Sequence, residues 1–427
     1  MRLNLKLVSV LSLFVAVGIT AGLGKIEKND TKVQTYPTTV CPGAKSNGPV
    51  IDYLPDSKTK VSVIPNESGK LKSVGSSVFN SNKPMLVDGG EVTSVSVLKG
   101  GSGWLAAIPC SISDGDDWFV AGTSGVTSRG YIEIVNSGLS TAQVDLKIYS
   151  KTAPRTTNNT IAANSVKYVK LDSLAPGEDA IAINAITRSG RVSVFMLDNR
   201  GSGLRSIGAE FVASAPAPAK TLVIPFVPTP QKNLKQSQTL RVVVPGSVDA
   251  NIKATIYSGD GSFAPRGVDG ESINGGTVRD IDLNPIVANS SYALKIESDV
   301  PISASVFTKL NNDFIWSTPT VAIKNTMLRL GGFQPRIRLY GQNIDIAISW
   351  IDSNRKSYTK RLTGSDTLYF KSPGAMNSVS FVNFGDPVYG AMELSNSSGV
   401  AVLPVVSGSH LESAVLPRSD ARAINRN

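Results

Sequence analysis

The chain carries few of the side chains on which enzyme active sites are built. His410 is its only histidine, and it lies in a Ser-Gly-Ser-His segment close to a polar C-terminal tail. A Ser-His-Asp or Cys-His arrangement needs a histidine that a rigid scaffold holds in place. Two converging carboxylates could form a glycosidase site, but no acidic residue stands in a context that indicates one. We therefore predict that the protein is not an enzyme.

Acidic and glycine-rich segments offer the next candidate chemistry. Carboxylates at 114–117 (Asp-Gly-Asp-Asp) are close enough to bind calcium, and 258–262 and 268–271 are similar. Calcium needs about six to eight oxygen ligands, and no EF-hand-type loop with a terminal glutamate is present. The Lys-Gly-Gly-Ser-Gly run at 99–103 lacks the ending of a phosphate-binding loop. We expect turns at these places, with calcium at 114–117 as the alternative, and predict no metal and no cofactor.

Cys41 and Cys110 are the only cysteines. In an exported chain they are most simply one disulfide, which would close a long loop. A reactive thiol or a pair of metal ligands is the alternative, although one histidine and no third cysteine leave a metal few further ligands.

A basic stretch between Arg329 and Arg361 contains seven basic residues and two acidic ones. Arg336, Arg338 and Tyr340 alternate with apolar residues, so they share one face of a strand. An ordinary solvated strand face is one interpretation, and contact with an anionic wall polymer, glycan or lipid surface is the other. The candidate polymer-binding residues are Arg329, Arg336, Arg338, Tyr340, Arg355, Lys356, Lys360 and Arg361.

Tryptophans could supply platforms on which sugars stack. Trp350 has the same strand parity as Ile344, Ile346 and Ile348, so we assign it to the core. Trp118 stands beside Phe119 and is either structural or a ligand platform.

The first residues indicate export. Arg2 and Lys6 precede an uncharged run at 7–24, and Lys25 follows it. This is the plan of a signal peptide, but the run is about as long as the shortest membrane-spanning helix and ends in no clean cleavage site. We predict a cleaved signal or a membrane anchor at 7–24 and an extracytoplasmic protein. An exported chain with a net charge of +10 meets anionic lipids and wall polymers, and we expect no nucleic-acid partner.

A pattern recurs three times along the chain. The segment 142–150 (Ala-Gln-Val-Asp-Leu-Lys-Ile-Tyr-Ser) returns at 250–258 (Ala-Asn-Ile-Lys-Ala-Thr-Ile-Tyr-Ser), and a weaker copy stands at 343–350. A second strand pair follows each copy, at 182–197, 293–307 and 379–394. A long fixed period means several copies of one folding unit.

Short alternating strands, frequent turns and no helical pattern predict an all-β protein of tandem immunoglobulin-like β-sandwich modules after the N-terminal hydrophobic segment. Propeller blades are the rival, but they are shorter than these repeats. We predict a signal peptide or anchor at 1–24 and a spacer with a β-rich region at 25–116, which contains both cysteines. Three sandwich modules should follow at 117–213, 220–322 and 325–408, and a flexible tail at 409–427.

Some of these segments resemble a known family. Cys-Pro-Gly at 41–43, Asp-Trp-Phe-Val-Ala-Gly at 117–122 and the strand at 131–136 are similar to motifs of actinobacterial exported proteins of unknown function. Asn136 is followed by serine where the family has proline, and one aromatic residue precedes Phe119 where the family has two. The resemblance implies a β-rich, anchored or secreted envelope protein and carries no catalytic residues.

We therefore expect a non-catalytic cell-envelope protein whose sandwiches act as scaffold or interaction modules for an envelope protein partner. The alternative is binding of anionic wall polymer or carbohydrate through the basic and aromatic residues named above.

Overall fold

The computed structural model describes residues 32–35, 38–44, 51–54, 59–66, 72–73, 79–88, 92–100, 103–112, 115–202, 205–229, 237–283, 290–311, 313–406 and 412–415. The predicted signal or anchor at 7–24, Asp114, His410 and most of the predicted tail lie outside the described residues. Within them, no helix is long and apolar enough to cross a membrane.

Nearly all of the regular structure is β-strand, which confirms the predicted fold class. After β1 (Lys32–Thr35), the first sandwich, sandwich A, has eight strands: β2 (Thr39–Cys41), β3 (Ile51–Leu54), β4 (Lys60–Val63), β5 (Lys72–Ser73), β6 (Phe79–Ser81), β7 (Met85–Val87), β8 (Val95–Gly100) and β9 (Trp104–Pro109). They form two four-stranded antiparallel sheets, β2-β7-β4-β5 and β6-β3-β8-β9.

Sandwich B repeats this plan. Its strands are β10 (Asp116–Phe119), β11 (Tyr131–Asn136), β12 (Ala142–Tyr149), β13 (Arg155–Ile161), β14 (Ser165–Lys170), β15 (Ala182–Ser189), β16 (Val192–Ser202) and β17 (Arg205–Val212), with a one-turn helix α1 (Leu171–Leu174). The sheets are β10-β15-β12-β13 and β14-β11-β16-β17. If the eight strands are lettered a to h in chain order, both sandwiches have the sheets a-f-c-d and e-b-g-h.

Sandwiches C and D keep this order although some of their strands are fused. Sandwich C has β18 (Ala219–Val227), β19 (Gln238–Val243), β20 (Ala250–Ser258), β21 (Gly261–Phe263), β22 (Glu271–Ile273), β23 (Val278–Asp282), β24 (Tyr292–Lys309) and β25 (Phe314–Ser317). Sandwich D has β26 (Thr326–Phe333), β27 (Arg336–Asp352), β28 (Ser357–Lys371), β29 (Met376–Asn383), β30 (Tyr389–Asn396) and β31 (Gly399–Pro404). β24 supplies f and g, while β27 supplies b and c and β28 supplies d and e.

The sequence repeat is therefore strand c, and the pair that follows it is f and g. Val144, Leu146 and Ile148 of β12 point into the core, whereas Asp145 and Lys147 alternate with them and are partly exposed. Three copies were visible in the sequence, and the topology adds a fourth, sandwich A. Its c strand, β4, has four residues, which is too short for the alternation to stand out.

The sandwiches join in a closed cycle of apolar interfaces. In each one, the outer face of the e-b-g-h sheet packs against the preceding sandwich: B on A, C on B and D on C. The same face of A packs on D, where Leu54, Val95, Val97, Leu105 and Ala107 join the core of D. The four h strands, β9, β17, β25 and β31, contact each other in sequence around the centre.

The residues from 36 to 410 form one compact unit. The remaining residues form a second unit, in which β1 pairs antiparallel with β32 (Glu412–Val415).

The predicted disulfide is confirmed. Cys41, at the end of strand a of sandwich A, is bonded to Cys110, which follows strand h, and both residues are buried. The bond closes a loop of 69 residues.

Replacement of both cysteines, C41A/C110A, should lower the free energy of unfolding by roughly 3–5 kcal/mol, because the unfolded chain regains the entropy of this loop. Urea unfolding of the full chain, with and without reductant, measures the change. The reductant should weaken the wild type and leave the double variant unaffected. Equal stability of the two proteins without reductant would contradict the assigned role.

Candidate functional site

The predicted cationic face on β27 is not a free surface. Arg336, Arg338 and Tyr340 do share one face, the outer face of the e-b-g-h sheet of sandwich D. Arg338 and Tyr340 lie against sandwich C, whereas Arg336 is exposed. Arg338 is 4% exposed and Tyr340 8% exposed. The prediction of an exposed basic and aromatic strand face is wrong for these two residues, because β27 runs on from strand b to strand c and its first half is covered by the neighbouring sandwich.

Arg338 and Tyr340 have structural partners there. Arg338 donates hydrogen bonds to Thr367 Oγ1 (2.9 Å) and to Ser291 Oγ of sandwich C (3.1 Å). Its burial lowers the pKa of the guanidinium to about 10, so it stays charged at neutral pH. The ring of Tyr340 lies 4.9 Å from that of Tyr257 in sandwich C and 6.3 Å from that of Tyr389.

The other candidates of the basic stretch lie in different places. Arg336 pairs with Glu393 (2.6 Å), and Arg361 forms two bonds to Asp345 (2.6 Å each). Arg329 is half-buried in β26 beside sandwich A, where its backbone N–H bonds to Thr93 O. Arg355, Lys356 and Lys360 are exposed at the hairpin between β27 and β28.

All four tryptophans are buried, which confirms the core assignment of Trp350 and favours the structural interpretation of Trp118. Trp118 packs with Tyr149 in an apolar cluster that includes Val243 and Val278 of sandwich C. The segment 117–122 is thus part of the interface between B and C.

A single arginine clamps that interface. Arg241, in strand b of sandwich C, is 3% exposed and forms two bonds to Asp280 (2.7 and 2.8 Å). The rest of its guanidinium crosses to sandwich B and donates to the backbone carbonyls of Gly122, Ile181 and Asp179. Its plane lies 4.9 Å from the Trp316 ring. One cation therefore satisfies three carbonyl groups of the preceding sandwich.

Glu133 has the corresponding position in sandwich B. It lies in strand b, is 1% exposed, and accepts hydrogen bonds from the Gly43 N–H of sandwich A (2.8 Å) and from Tyr168 Oη (3.3 Å). Burial raises the pKa of its carboxyl to about 8 despite these bonds. Gly43 has no room for a side chain, since a Cβ there would lie 2.5 Å from Pro84 N. The Cys-Pro-Gly segment thus presents a backbone donor to the next sandwich.

Further acidic groups are buried where the h strands meet. Asp313 accepts hydrogen bonds from the N–H groups of Phe314 (2.8 Å) and of Leu105 in sandwich A (3.3 Å). Burial raises its pKa to about 8. Burial together with the charge of Asp313 also raises the pKa of Glu210. Asp198 accepts from Trp316 Nε1 (2.8 Å) and pairs with Arg200 (2.8 Å).

One cavity is formed by all four sandwiches. It has a volume of about 310 Å³ and is lined by the segments that follow the h strands. Sandwich A contributes Ile108 to Ile112, B contributes its first strand and the link after β17, C contributes Pro319 to Val321 and D contributes Pro404 to Val406. We call it the axial cavity. Its walls are mostly apolar, with hydroxyl groups and the residues Asp116 and Asp117 among them.

Comparison with known protein families finds a match. The "Family of unknown function (DUF5719)" matches residues 85–330, which is more than half of the chain. The chain belongs to this family. No curated protein matches it. The DUF5719 match runs from the last strands of sandwich A to the first strand of sandwich D. It includes Arg241 with its partners at the B–C interface and also Glu133, whereas Gly43 lies before it.

Solved structures show only remote similarity. The Streptomyces avermitilis α-L-rhamnosidase complexed with L-rhamnose has a TM-score of 0.15 and 9% identity, over 90% of this chain and 56% of that one. The lipid-containing bacteriophage PM2 has a TM-score of 0.13 and 10% identity, over 77% and 89% of the two chains. Escherichia coli alpha-2-macroglobulin activated by porcine elastase has a TM-score of 0.10 and 8% identity, over 89% and 42%. The chain thus spans little more than half the length of the first of these.

Replacement of Arg241 by methionine should destabilise the protein by about 3 kcal/mol, because it leaves three carbonyls and Asp280 without their donor. Urea unfolding of the full chain measures the loss. The control is Arg279→Met, which breaks an exposed pair with Glu271 and should cost at most about 1 kcal/mol. Equal losses for the two variants would show that Arg241 is not a clamp.

Replacement of Glu133 by glutamine should change the dependence of stability on pH. The carboxyl titrates near 4.5 when unfolded and near 8 when folded, so the folded state holds the extra proton between these values. The free energy of unfolding of the wild type should therefore fall by up to about 1.4 kcal/mol per pH unit, because of this group, as the pH rises across that window. Glu133→Gln keeps the acceptor oxygen and removes this loss.

Urea unfolding of both proteins at pH 5, 6, 7 and 8, chosen as roughly even steps across the window, measures the difference. The free energy of unfolding of Glu133→Gln should rise relative to that of the wild type at each higher pH. The exposed acid variant Asp172→Asn is the control and should follow the wild type. A constant difference between Glu133→Gln and wild type would contradict the assignment.

Proposed function

We propose that this protein is a non-catalytic, extracytoplasmic scaffold of the cell envelope that binds envelope partners through its outer surfaces. The observation that carries the proposal is the closed cycle of four sandwiches. Tandem domains with small polar interfaces move relative to one another, whereas large apolar interfaces hold them together. Here every sandwich has two such interfaces, so the four act as one body.

The interfaces are also locked by specific bonds. Glu133, Arg241 and Arg338 each extend from strand b of one sandwich to groups of the preceding one. These side chains are used for assembly. The next sandwich covers part of the outer face of an a-f-c-d sheet, as at Trp118 and Tyr149, and the rest of these faces and the loops remain outward. A rigid body with such surfaces is suited to hold partners at fixed positions.

The compartment is supported by the disulfide. Disulfides persist in oxidising compartments outside the cytoplasm. The uncharged run at 7–24 and the resemblance of 41–43 and 117–122 to exported actinobacterial proteins support the same assignment, with the protein secreted or anchored through 7–24.

The test is cross-linking of the full chain in intact cells, followed by identification of the cross-linked species and by size analysis of the purified complex. A scaffold should give a defined complex with a protein partner or with itself. A chain that stays monomeric and captures nothing in either experiment would overturn the proposal.

A second candidate function is binding of an anionic wall polymer through the hairpin between β27 and β28. Arg355, Lys356 and Lys360 are exposed there, and Tyr369 and Phe384 on the same sandwich are 49% and 56% exposed. Charge-dominated binding weakens as salt screens it over a Debye length of about 10 Å at moderate ionic strength.

The variant K356Q/K360Q should lose most of any salt-sensitive retention of the full chain on purified anionic wall polymer. The matched control is K151Q/K253Q, which removes the same charge from exposed lysines of sandwiches B and C. Peptidoglycan and membrane fractions, each at low and high salt, serve as comparison surfaces. Retention that is equal in the two double variants would reject the hairpin as the binding site.

A further inference from the structure

We propose that the axial cavity is a binding site for a small organic amine with a compact apolar body. The inference is independent of the scaffold role, because it concerns the interior junction of the four sandwiches and not their outer surfaces.

The size and the walls of the cavity fit a small ligand. Its volume of about 310 Å³ lies at the lower end of the range of ligand pockets. Since a water molecule occupies about 30 Å³ in the liquid, there is room for about ten heavy atoms. Ile108, Phe119, Phe195 and Val405 provide apolar walls from three of the sandwiches. Such walls favour a ligand with an apolar body.

The charged groups that line the cavity favour one sign of charge on the ligand. Asp116 and Asp117 line the cavity, Asp116 as a solvent-exposed residue and Asp117 as a buried one, and none of the described lining residues is basic. The carboxyl of Asp116 is partly directed by Asn184, whose Nδ2 donates to its Oδ1 (2.5 Å). The positive net charge of the whole chain acts only weakly here, because salt screens charges that lie farther away than the Debye length of about 10 Å. A cation is therefore the favoured guest.

A second and independent feature points to a ligand. Thr320 is 8% exposed, lines the cavity, and its hydroxyl has no hydrogen-bond partner among the described residues. A buried hydroxyl without a partner is costly, and native proteins rarely leave one. Its backbone N–H is already bonded to Val223 O (3.1 Å), which holds the backbone at this position. A guest ammonium could donate one hydrogen bond to this oxygen and another to a carboxylate.

The position at the junction explains why no single sandwich could form the site. Its polar groups come from different sandwiches: Asp116 and Ser214 from B, Thr320 from C, and Thr39 and Thr93 from A. The amine would bind the closed arrangement and not the separated sandwiches, so it should also stabilise the folded protein.

The experiment uses the full chain and three probes of similar size and shape: 2-phenylethylamine, 2-phenylethanol and phenylacetate. Calorimetric titration and the shift in melting temperature are measured for each. The amine should bind about tenfold more tightly than the alcohol, as expected for a charge-assisted bond, and the carboxylate should not bind. No binding of the amine, or equal binding of amine and carboxylate, would overturn the proposal.

Variants locate the site. Asp116→Asn keeps the shape and the acceptor for Asn184, and should reduce the affinity for the amine about tenfold while leaving the alcohol unchanged. Thr320→Val keeps the volume and should weaken both probes several-fold. The control Asp260→Asn removes an exposed carboxyl from a turn of sandwich C and should bind like the wild type. Near-UV circular dichroism verifies that each variant is folded, and amine binding that survives both cavity variants would place it elsewhere and reject the site.

Discussion

The structure depends on one repeated interaction, in which a buried ionisable side chain on strand b of one sandwich bonds to the sandwich before it. Glu133 accepts from the Gly43 N–H, Arg241 donates to three carbonyls around Gly122, and Arg338 donates to Ser291. A buried polar or ionised group that loses its hydrogen bonds destabilises the fold. Displacement of either sandwich would break these bonds, so these residues specify the relative position of the sandwiches more than they add to stability.

The centre of the cycle has a related requirement. Each h strand is the edge of its sheet, and an edge strand presents N–H and C=O groups without partners. Leu105 in β9 finds a partner in Asp313 of sandwich C. Gly208 of sandwich B makes room for this carboxyl, because a Cβ there would lie 2.6 Å from Asp313 Oδ1. The buried acid thus joins three sandwiches at a point where a sheet edge would otherwise be unsatisfied.

The sequence was sufficient to predict the strands whose alternation is long and regular, and not the interfaces between sandwiches. β12 fills all but the last residue of the repeated segment at 142–150, because apolar residues alternate with polar ones along it. Sandwich A was not recognised as a copy, since its c and d strands have only four and two residues. Period-two alternation reports which residues share a face, but not what covers that face.

Arg338 and Arg361 illustrate this limit. Both lie in the basic stretch on strands of sandwich D, yet one is buried against sandwich C and the other is exposed beside Asp345. Only the position of the neighbouring sandwich separates the two cases. A weak signal was present for Glu133 and Arg241, since each is a single charge between apolar neighbours in the middle of a strand. A solvent-facing residue of an ordinary sandwich gives the same pattern.

Closure of the cycle distinguishes this protein from a linear array of repeats. In a linear array each repeat contacts only its neighbours along the chain, and the terminal repeats have one interface each. Here A and D, far apart in sequence, add a further interface, in which five residues of A join the core of D. The entropy of closing a loop grows only with the logarithm of its length, about 0.6 kcal/mol per doubling. Burial of even one Leu or Val side chain contributes about 1.5–3 kcal/mol. The apolar face of A therefore outweighs the added cost of closure, and the end sandwiches need no separate cap.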